Sequence, residues 1–207
     1  SIPTDGILLD IGANIGSVCL PVAKKRKDVT IFSIEAAKSI FEMLKRNINL
    51  NGLHNVKAFH VALSEHAQEN VAFYAPSEKF GKGSFAPVFT TEAEYVAAQT
   101  LDGFILEYSI SKVDFIKIDV EGFEYFVFKG GEKLLSNENA PDILFEFVDW
   151  AEEQAHVTEV GMAQEFLLKM GYMLYSFSGK SNINPLKDVL KRGASLIFAT
   201  KKVMQNV

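Results

Sequence analysis

Three charged side chains fall within the five residues 117–121 of an otherwise apolar part of the chain. Lys117 interrupts the apolar run Val113–Ile118, and Asp119 and Glu121 follow that run directly. Because ionised groups are seldom buried alone, we expect Lys117 to pair with one of these acids or with another acid at a strand end. Carboxylates grouped around a lysine favour shifted pKa values and general-base chemistry. The alternative is a buried ion pair that only fixes a turn between a strand and a helix.

A glycine-rich turn follows the apolar run at residues 7–9, where residues 10–16 read Asp-Ile-Gly-Ala-Asn-Ile-Gly. Gly12 and Gly16 permit positive φ angles and let a ligand approach the backbone closely. The spacing differs from the G-x-G-x-x-G fingerprint that binds a pyrophosphate, and Asp10 would repel that group. An acid at this place suits a ligand with a cationic amino-acid end, such as S-adenosylmethionine. A tight turn that binds nothing is the alternative.

The ends of the next two predicted strands offer further contacts for such a ligand. Glu35 follows the strand predicted over Val29–Ile34, and its carboxylate could accept hydrogen bonds from both hydroxyls of a ribose. Ala62 and Leu63 follow the next strand and would give an adenine ring apolar side chains and backbone groups. The alternatives are an acid that only complements the positive end of a helix, and a plain turn. In an open α/β sheet these positions meet at the carboxyl ends of the strands.

Strand-like and helix-like patterns alternate along the chain. Buried strands separated by helices predict an α/β fold in which helices cover both faces of a mostly parallel sheet. The predicted strands are Ile7–Ile11, Val29–Ile34, Val56–Val61, Val113–Ile118, Ile143–Val148, Tyr172–Ser176 and Ser195–Thr200. The predicted helices are Ile15–Lys25, Ala37–Asn49, Phe123–Leu135 and Val160–Met170.

The alternation breaks between residues 68 and 101. Two segments there have strand character, Asn70–Ala75 and Tyr95–Thr100, and the stretch between them is rich in glycine, serine, lysine and phenylalanine. This pattern predicts an inserted hairpin with a long loop, Pro76–Thr91. Long loops in compact domains are often functional, so we expect this one to cover the ligand site and help exclude water.

Length and composition set wider limits. A chain of 207 residues with 48% hydrophobic residues fits one soluble domain over residues 1–207, although a missing N-terminal segment is left open. The net charge of −5 argues against a nucleic-acid partner, and the basic run at residues 24–27 suits the end of a helix. No apolar stretch reaches a membrane span, and a single cysteine, Cys19, excludes an internal disulfide, so we expect a cytoplasmic protein. The four histidines lack metal-ligand spacing, and we predict no metal site.

Several of these motifs together resemble the FkbM-type S-adenosylmethionine-dependent methyltransferases, over a region from Ile7 to about Glu146. The resemblance implies a Rossmann-like class I methyltransferase fold, with a mostly parallel seven-stranded sheet whose last strand is antiparallel. It also implies O-methylation of a hydroxyl on a sugar or a natural-product molecule. The motifs that carry it are DIGANIG at 10–16, Glu35, VALSE at 61–65, TLD at 100–102, DFIKIDVEGFE at 114–124, Gly130-Gly131 and PDILFE at 141–146.

The resemblance also assigns roles to single residues. It places Asp10, Gly12, Asn14 and Gly16 at the methionine end of S-adenosylmethionine. It makes Glu35 the ribose acid, sets Ala62 and Leu63 beside adenine, and sets Asp119 and Glu121 beside the reacting methyl group. One departure is Ala36, since the family often has proline after its ribose acid.

We therefore predict a methyltransferase that binds S-adenosylmethionine and a small-molecule acceptor. The enzyme's tasks are to position the acceptor hydroxyl and to remove its proton. Asp119 is the first candidate for the base and Glu121 the second, while Lys117 would hold the carboxylates or steady the anion. The alternatives are a nicotinamide-dependent oxidoreductase, a nucleic-acid methyltransferase and a module without activity. A further alternative places Mg²⁺ between Asp119 and Glu146.

Overall fold

The computed structural model describes residues 2–76, 83–87, 90–155, 159–178 and 182–203. The strands in these ranges are β1 (Ile7–Ile11), β2 (Thr30–Glu35), β3 (Val56–His60), β4 (Ala62–Leu63), β5 (Gln68–Phe73), β6 (Glu94–Gln99), β7 (Phe115–Ile118), β8 (Asp142–Val148), β9 (Met173–Ser178), β10 (Asn182–Pro185) and β11 (Ala194–Thr200). The helices are α1 (Cys19–Lys25), α2 (Lys38–Leu50), α3 (Leu101–Glu107), α4 (Glu124–Lys129), α5 (Glu132–Ser136), α6 (Asp149–Gln154) and α7 (Met162–Lys169).

The central sheet confirms the predicted α/β fold class. Its strand order is β10-β9-β11-β8-β7-β1-β2-β3. The neighbouring strands β8, β7, β1, β2 and β3 pair in parallel, and β11 lies antiparallel between β8 and β9. The sheet has eight strands where the sequence predicted seven, because the short segment β10 adds an antiparallel edge strand beside β9.

The predicted insertion forms a second, three-stranded sheet with the order β4-β6-β5. The strand β5 pairs antiparallel with β6, and the short β4 pairs in parallel with it. Tyr74 and Ser84 continue the hairpin, since their backbone groups exchange hydrogen bonds of 2.8 and 3.1 Å. Residues 77–82 and 88–89 of the predicted loop lie outside the described residues.

Helices cover both faces of the central sheet. Buried residues of α1 and α2, such as Cys19 and Leu44, pack with β1 and β2 in one apolar cluster. Buried residues of α3, α4, α5 and α7, such as Phe128 and Leu167, pack in the larger cluster on the other face. Cys19 is buried in the first of these clusters, and burial raises the pKa of its thiol to about 12, so it packs as an apolar residue.

Glycine residues explain two differences between the predicted and the observed helices. The predicted helix Ile15–Lys25 begins only at Cys19, because Gly16 has a φ of +95° and forms part of the preceding turn. The prediction of one helix over Phe123–Leu135 is wrong, since α4 and α5 are separate. At the break, Gly130 passes so close to the backbone that a Cβ there would lie 2.2 Å from the carbonyl oxygen of Ser64.

A buried ion pair joins the two strands at the centre of the sheet. Asp10 of β1 lies beside Lys117 of β7 and is fully buried. The Nζ atom of Lys117 lies 3.4 Å from Oδ1 of Asp10, 3.9 Å from Oδ2 of Asp119, and donates a 2.8 Å hydrogen bond to the carbonyl oxygen of Gly12. Burial raises the pKa of Asp10, and the charge of Lys117 opposes that rise. The expected pairing of Lys117 with a strand-end acid is therefore confirmed.

Replacing Lys117 by methionine should be strongly destabilising, because it leaves the buried Asp10 carboxylate without its compensating charge. We expect Lys117→Met to lower the free energy of unfolding by about 3–5 kcal/mol, the usual cost of breaking a buried pair from one side. The double variant Asp10→Asn/Lys117→Met should recover part of that loss. Urea denaturation near neutral pH measures both effects.

The matched control is Lys129→Met, which breaks the more exposed ion pair between Lys129 and Glu65. It should cost no more than ~1 kcal/mol. A Lys117→Met loss no larger than this control, or a double variant less stable than Lys117→Met, would show that Lys117 does not compensate a buried charge.

Candidate active site

A cavity of about 740 Å³, including its open mouth, lies beyond the carboxyl ends of β1, β2 and β7. Its walls come from the residues that follow those strands, from the start of α2, and from the inserted hairpin. In open α/β folds, ligands bind at these carboxyl ends of the parallel strands.

The glycine-rich turn forms the floor of this cavity. The amide groups of Gly12 and Ala13 both donate to the carbonyl oxygen of Ile34, at 3.0 and 2.9 Å, which ties the turn to β2. Gly12 has a φ of +69°, and a Cβ there would lie 1.9 Å from the carbonyl oxygen of Asp119. Only glycine fits this position, because the turn and the loop after β7 pack backbone against backbone.

Glu35 at the end of β2 links the turn to the start of α2. Its Oε2 accepts a hydrogen bond from the amide of Asn14 and its Oε1 accepts one from the amide of Ala37, both at 2.8 Å. Burial raises the pKa of Glu35, and these two amide donors oppose the rise. Each carboxylate oxygen can accept a second hydrogen bond, so Glu35 can still receive donors from a ligand in the cavity that it lines.

An apolar wall continues from Glu35 to the end of β3. Ala37 and Ile40 at the start of α2 form this wall together with Val61, Ala62 and Leu63. All five are buried, so this part of the cavity has an apolar surface.

The opposite wall carries the acid pair. Asp119 and Glu121 both line the cavity, and the Asp119 side chain is 41% exposed, so a bound molecule can reach its carboxylate. Their loop is tightly bent: Glu121 has a φ of +53° and Gly122 a φ of +97°. The amide of Val120 donates a 2.8 Å hydrogen bond to Oε1 of Glu124, the buried last residue of the motif at 114–124.

Aromatic residues of the insertion close the side next to the acids. Phe85 lies edge-on against Phe73, with ring centroids 5.4 Å apart, and against Phe123 at 5.2 Å. Pro76, Gly83 and Phe85 line the cavity, so described residues of the predicted loop do lie at the site. The sequence predicted that this loop lies at the site. It did not predict that Phe73 lines the cavity, because that depends on how β5 pairs with β6.

The predicted site residues divide into two groups. Those that line the common cavity are Gly12, Asn14, Glu35, Ala62, Leu63, Asp119 and Glu121. Asp10 and Lys117 lie beneath the turn and are not among the lining residues, and Gly16 instead borders a shallow groove between α1 and α2. The residues of the ion pair therefore support the turn from below.

Neither a metal centre nor a membrane span is found in the described ranges. Among these residues, no group of three or more histidine, cysteine or acidic side chains is placed to hold a metal ion. Glu146 is exposed on β8. No described helix has the length and apolar character that crossing a membrane requires.

Comparison with known proteins agrees with this geometry. The profile of the Methyltransferase FkbM domain matches residues 10–174. The chain is 27% identical over 160 residues to Methyltransferase sdnD of Sordaria araneosa, covering 63% of this chain and 62% of that protein. It is also 27% identical over 148 residues to Methyltransferase 1 of Beauveria bassiana, covering 62% and 59%. The chain thus spans about three fifths of the length of these relatives.

Solved structures share the fold. A precorrin-6y C5,15-methyltransferase from Geobacter metallireducens superposes with a TM-score of 0.53 at 15% identity, covering 96% of this chain and 80% of that one. An S-adenosylmethionine-dependent O-methyltransferase from Thermotoga maritima superposes with a TM-score of 0.51 at 13% identity, covering 100% and 63%.

The cavity is chemically suited to S-adenosylmethionine. Its glycine floor leaves no room for a side chain, Glu35 offers acceptor oxygens, and the wall at Ala62 and Leu63 is apolar. The described lining includes acids but no lysine or arginine, which favours a cationic ligand. With a domain profile that matches most of its length, the chain belongs to the FkbM methyltransferase domain family, and its cofactor is S-adenosylmethionine.

Proposed function

We propose that this chain is one methyltransferase domain that transfers a methyl group to a hydroxyl oxygen of a small molecule. The observation that carries the proposal is a single cavity in which the glycine turn and Glu35 face the acid pair Asp119 and Glu121. S-adenosylmethionine, when bound, supplies an electrophilic methyl group. The chain's own residues must then hold the two reactants in line and take up the proton of the hydroxyl.

The cofactor half of the cavity consists of Gly12, Asn14, Glu35, Ala62 and Leu63. Glu35 is the ribose acid in this proposal, since its two oxygens are fixed by backbone amides and keep free acceptor capacity. The turn at Gly12 receives the methionine end of S-adenosylmethionine, and the apolar wall at Ala62 and Leu63 lies against its adenine ring.

Three residues outside the lining complete this half of the site. Asp10 and Lys117 act from beneath the turn, where Lys117 holds the carbonyl of Gly12. Gly16 ends the turn ahead of α1.

The acid half of the cavity performs the proton transfer. Asp119 directly follows β7 and is partly exposed. Its Oδ2 lies 3.9 Å from Nζ of Lys117, which holds the carboxylate in place. It is the general base in this proposal. Glu121 lines the same wall and is the second candidate.

The charge of the cavity favours a small neutral acceptor over a nucleic acid. Glu35, Asp119 and Glu121 line it, and the described lining contains no cation that would receive a phosphate. Phe85 adds an apolar wall beside the acids, which would pack against a ring or an aliphatic part of the acceptor. A sugar or natural-product hydroxyl fits these features.

Transfer of a labelled methyl group tests this proposal directly. We expect label from S-adenosylmethionine to appear in hydroxylated small molecules of an acceptor panel, and not in RNA or DNA oligonucleotides. Mass spectrometry of the product should locate the new methyl group on oxygen. Label in an oligonucleotide, or on nitrogen or carbon of a small molecule, would contradict the proposed acceptor.

Replacing Glu35 by alanine should weaken cofactor binding. The loss of a hydrogen bond to a charged group costs about 1.5–3 kcal/mol, so the Kd of Glu35→Ala for S-adenosylmethionine should rise roughly tenfold to a hundredfold. Isothermal titration calorimetry measures this. The matched control is Glu94→Ala, which also removes a carboxylate that accepts an amide of α2 but does not line the cavity. Equal affinities of the two variants would refute the ribose role.

Replacing Asp119 by asparagine should remove the base and leave the fold intact. The kcat of Asp119→Asn should fall by about 10²–10⁴-fold, the usual contribution of a general base, with little change in cofactor affinity. Glu121→Gln should lower kcat less, and the exposed acid variant Asp188→Asn should not change it. If Asp119→Asn melts at a much lower temperature yet keeps its turnover per folded molecule, Asp119 is structural and the role passes to Glu121.

A further inference from the structure

Glu124 holds the loop that carries the acid pair. It opens α4, and its side chain is buried, with 2% of the residue exposed. Its Oε1 accepts a 2.8 Å hydrogen bond from the amide of Val120. This bond fixes the peptide unit between Asp119 and Val120, one residue before Glu121.

The same loop needs such a hold because its backbone is unusual. Glu121 has a positive φ without being glycine, a conformation that costs free energy and persists only where contacts enforce it. On one side, Gly122 meets the backbone of α6 so closely that a Cβ there would lie 2.4 Å from the carbonyl of Ala151. On the other side, the carboxyl of Glu124 secures Val120.

A second buried acid lies near Glu124. Glu152 of α6 is also 2% exposed, and its Oε2 accepts a 2.5 Å hydrogen bond from the amide of Gly161. Two further charged groups act on this pair. Asp119 on the loop acts on Glu124, and Lys191, whose Nζ contacts Glu165 of α7, acts on Glu152. Glu124 thus faces acids on the loop and on α6.

Burial and the neighbouring acids determine the charge of Glu124. Burial raises its pKa to about 8, and the charges of Asp119 and Glu152 add to the rise, while the amides of Val120 and of Glu124 itself oppose it. Two buried carboxylates close together do not readily both ionise. At neutral pH Glu124 is therefore mainly an uncharged acid that still accepts the Val120 hydrogen bond through its carbonyl oxygen.

We propose that Glu124 is a positioning residue of the methyl-transfer site, whose hydrogen bond from Val120 sets the places of Asp119 and Glu121. The inference rests on the proposed function of those two acids. When Glu124 loses its proton, a third negative charge enters the space beside Asp119 and Glu152. The ionised carboxylate would accept a stronger hydrogen bond from Val120, but repulsion from Asp119 and Glu152 opposes its place beside them. The loop shifts to relieve this repulsion, and the acid pair loses its alignment with the acceptor.

Three variants separate this role from plain structural support. Glu124→Gln keeps an uncharged carbonyl acceptor for Val120 at every pH, Glu124→Ala removes the acceptor, and Glu132→Gln alters an exposed acid in the first turn of the next helix as the control.

The first measurement needs no acceptor. In ¹H–¹⁵N NMR spectra of the full chain, the Val120 amide shift should inflect near pH 8 in wild type and in Glu132→Gln, but not in Glu124→Gln. Because the folded pKa of Glu124 lies above its ordinary value, its contribution to stability should be lost as the pH rises from about 4.5 to about 8. The melting temperature of Glu124→Gln relative to wild type should therefore increase over that range and level off above it.

The second measurement is the pH profile of turnover. We expect the kcat of wild type to fall above pH 8, and the kcat of Glu124→Gln to match wild type at pH 7 and persist above pH 8. Glu124→Ala should lose about 100-fold in kcat at pH 7, the scale of a ~1 Å misplacement, with a smaller change in the KM for acceptor.

The two measurements fail independently. A Val120 inflection that persists in Glu124→Gln, or is absent from wild type, would overturn the inference. So would a kcat profile shared by wild type and Glu124→Gln. If the NMR and melting results are as expected but no acceptor hydroxyl is methylated, the proposed function is wrong, while the hold of Glu124 on Val120 stands.

Discussion

The buried charge pair of Asp10 and Lys117 is the interaction on which the rest of the site depends. A carboxylate at the centre of a parallel sheet is costly, and here the only compensating cation among its described contacts reaches it from the neighbouring strand. The same ammonium group also binds the carbonyl of Gly12 and approaches Asp119. One side chain therefore connects the glycine turn on the floor of the cavity with the loop that carries Asp119, so its electrostatic role is tied to the shape of the site.

Close backbone packing adds a second constraint. The turn after β1 and the loop after β7 touch through Gly12 and Asp119, and the loop touches α6 through Gly122. Because no side chain fits at either contact, each loop defines the position of the next. The acid pair is thus held by backbone surfaces on two sides, and a small displacement of one loop must be shared by the others.

The sequence predicted those parts that local pattern determines. The strands β1, β2, β3, β7 and β8 were recognisable as apolar runs, and glycine and acidic residues at their ends marked the cavity. The split at Gly130, the edge strand β10 and the wall at Phe73 depend on contacts between distant segments, which periodicity does not record. Asp10 was recognised as part of the turn, but its burial beneath the floor follows from the register with Lys117. Glu124 belongs to the motif at 114–124, but its burial and its hydrogen bond from Val120 depend on how the loop bends, which the sequence does not show.

The distribution of charge in the site follows one physical rule. A cavity lined by Glu35, Asp119 and Glu121 attracts a cationic cofactor, but each added negative charge makes the existing ones harder to keep ionised. The acids that line the cavity have access to solvent or to amide donors, whereas Glu124 and Glu152 are buried behind them. An uncharged Glu124 supplies a hydrogen-bond acceptor to the loop without adding to this repulsion.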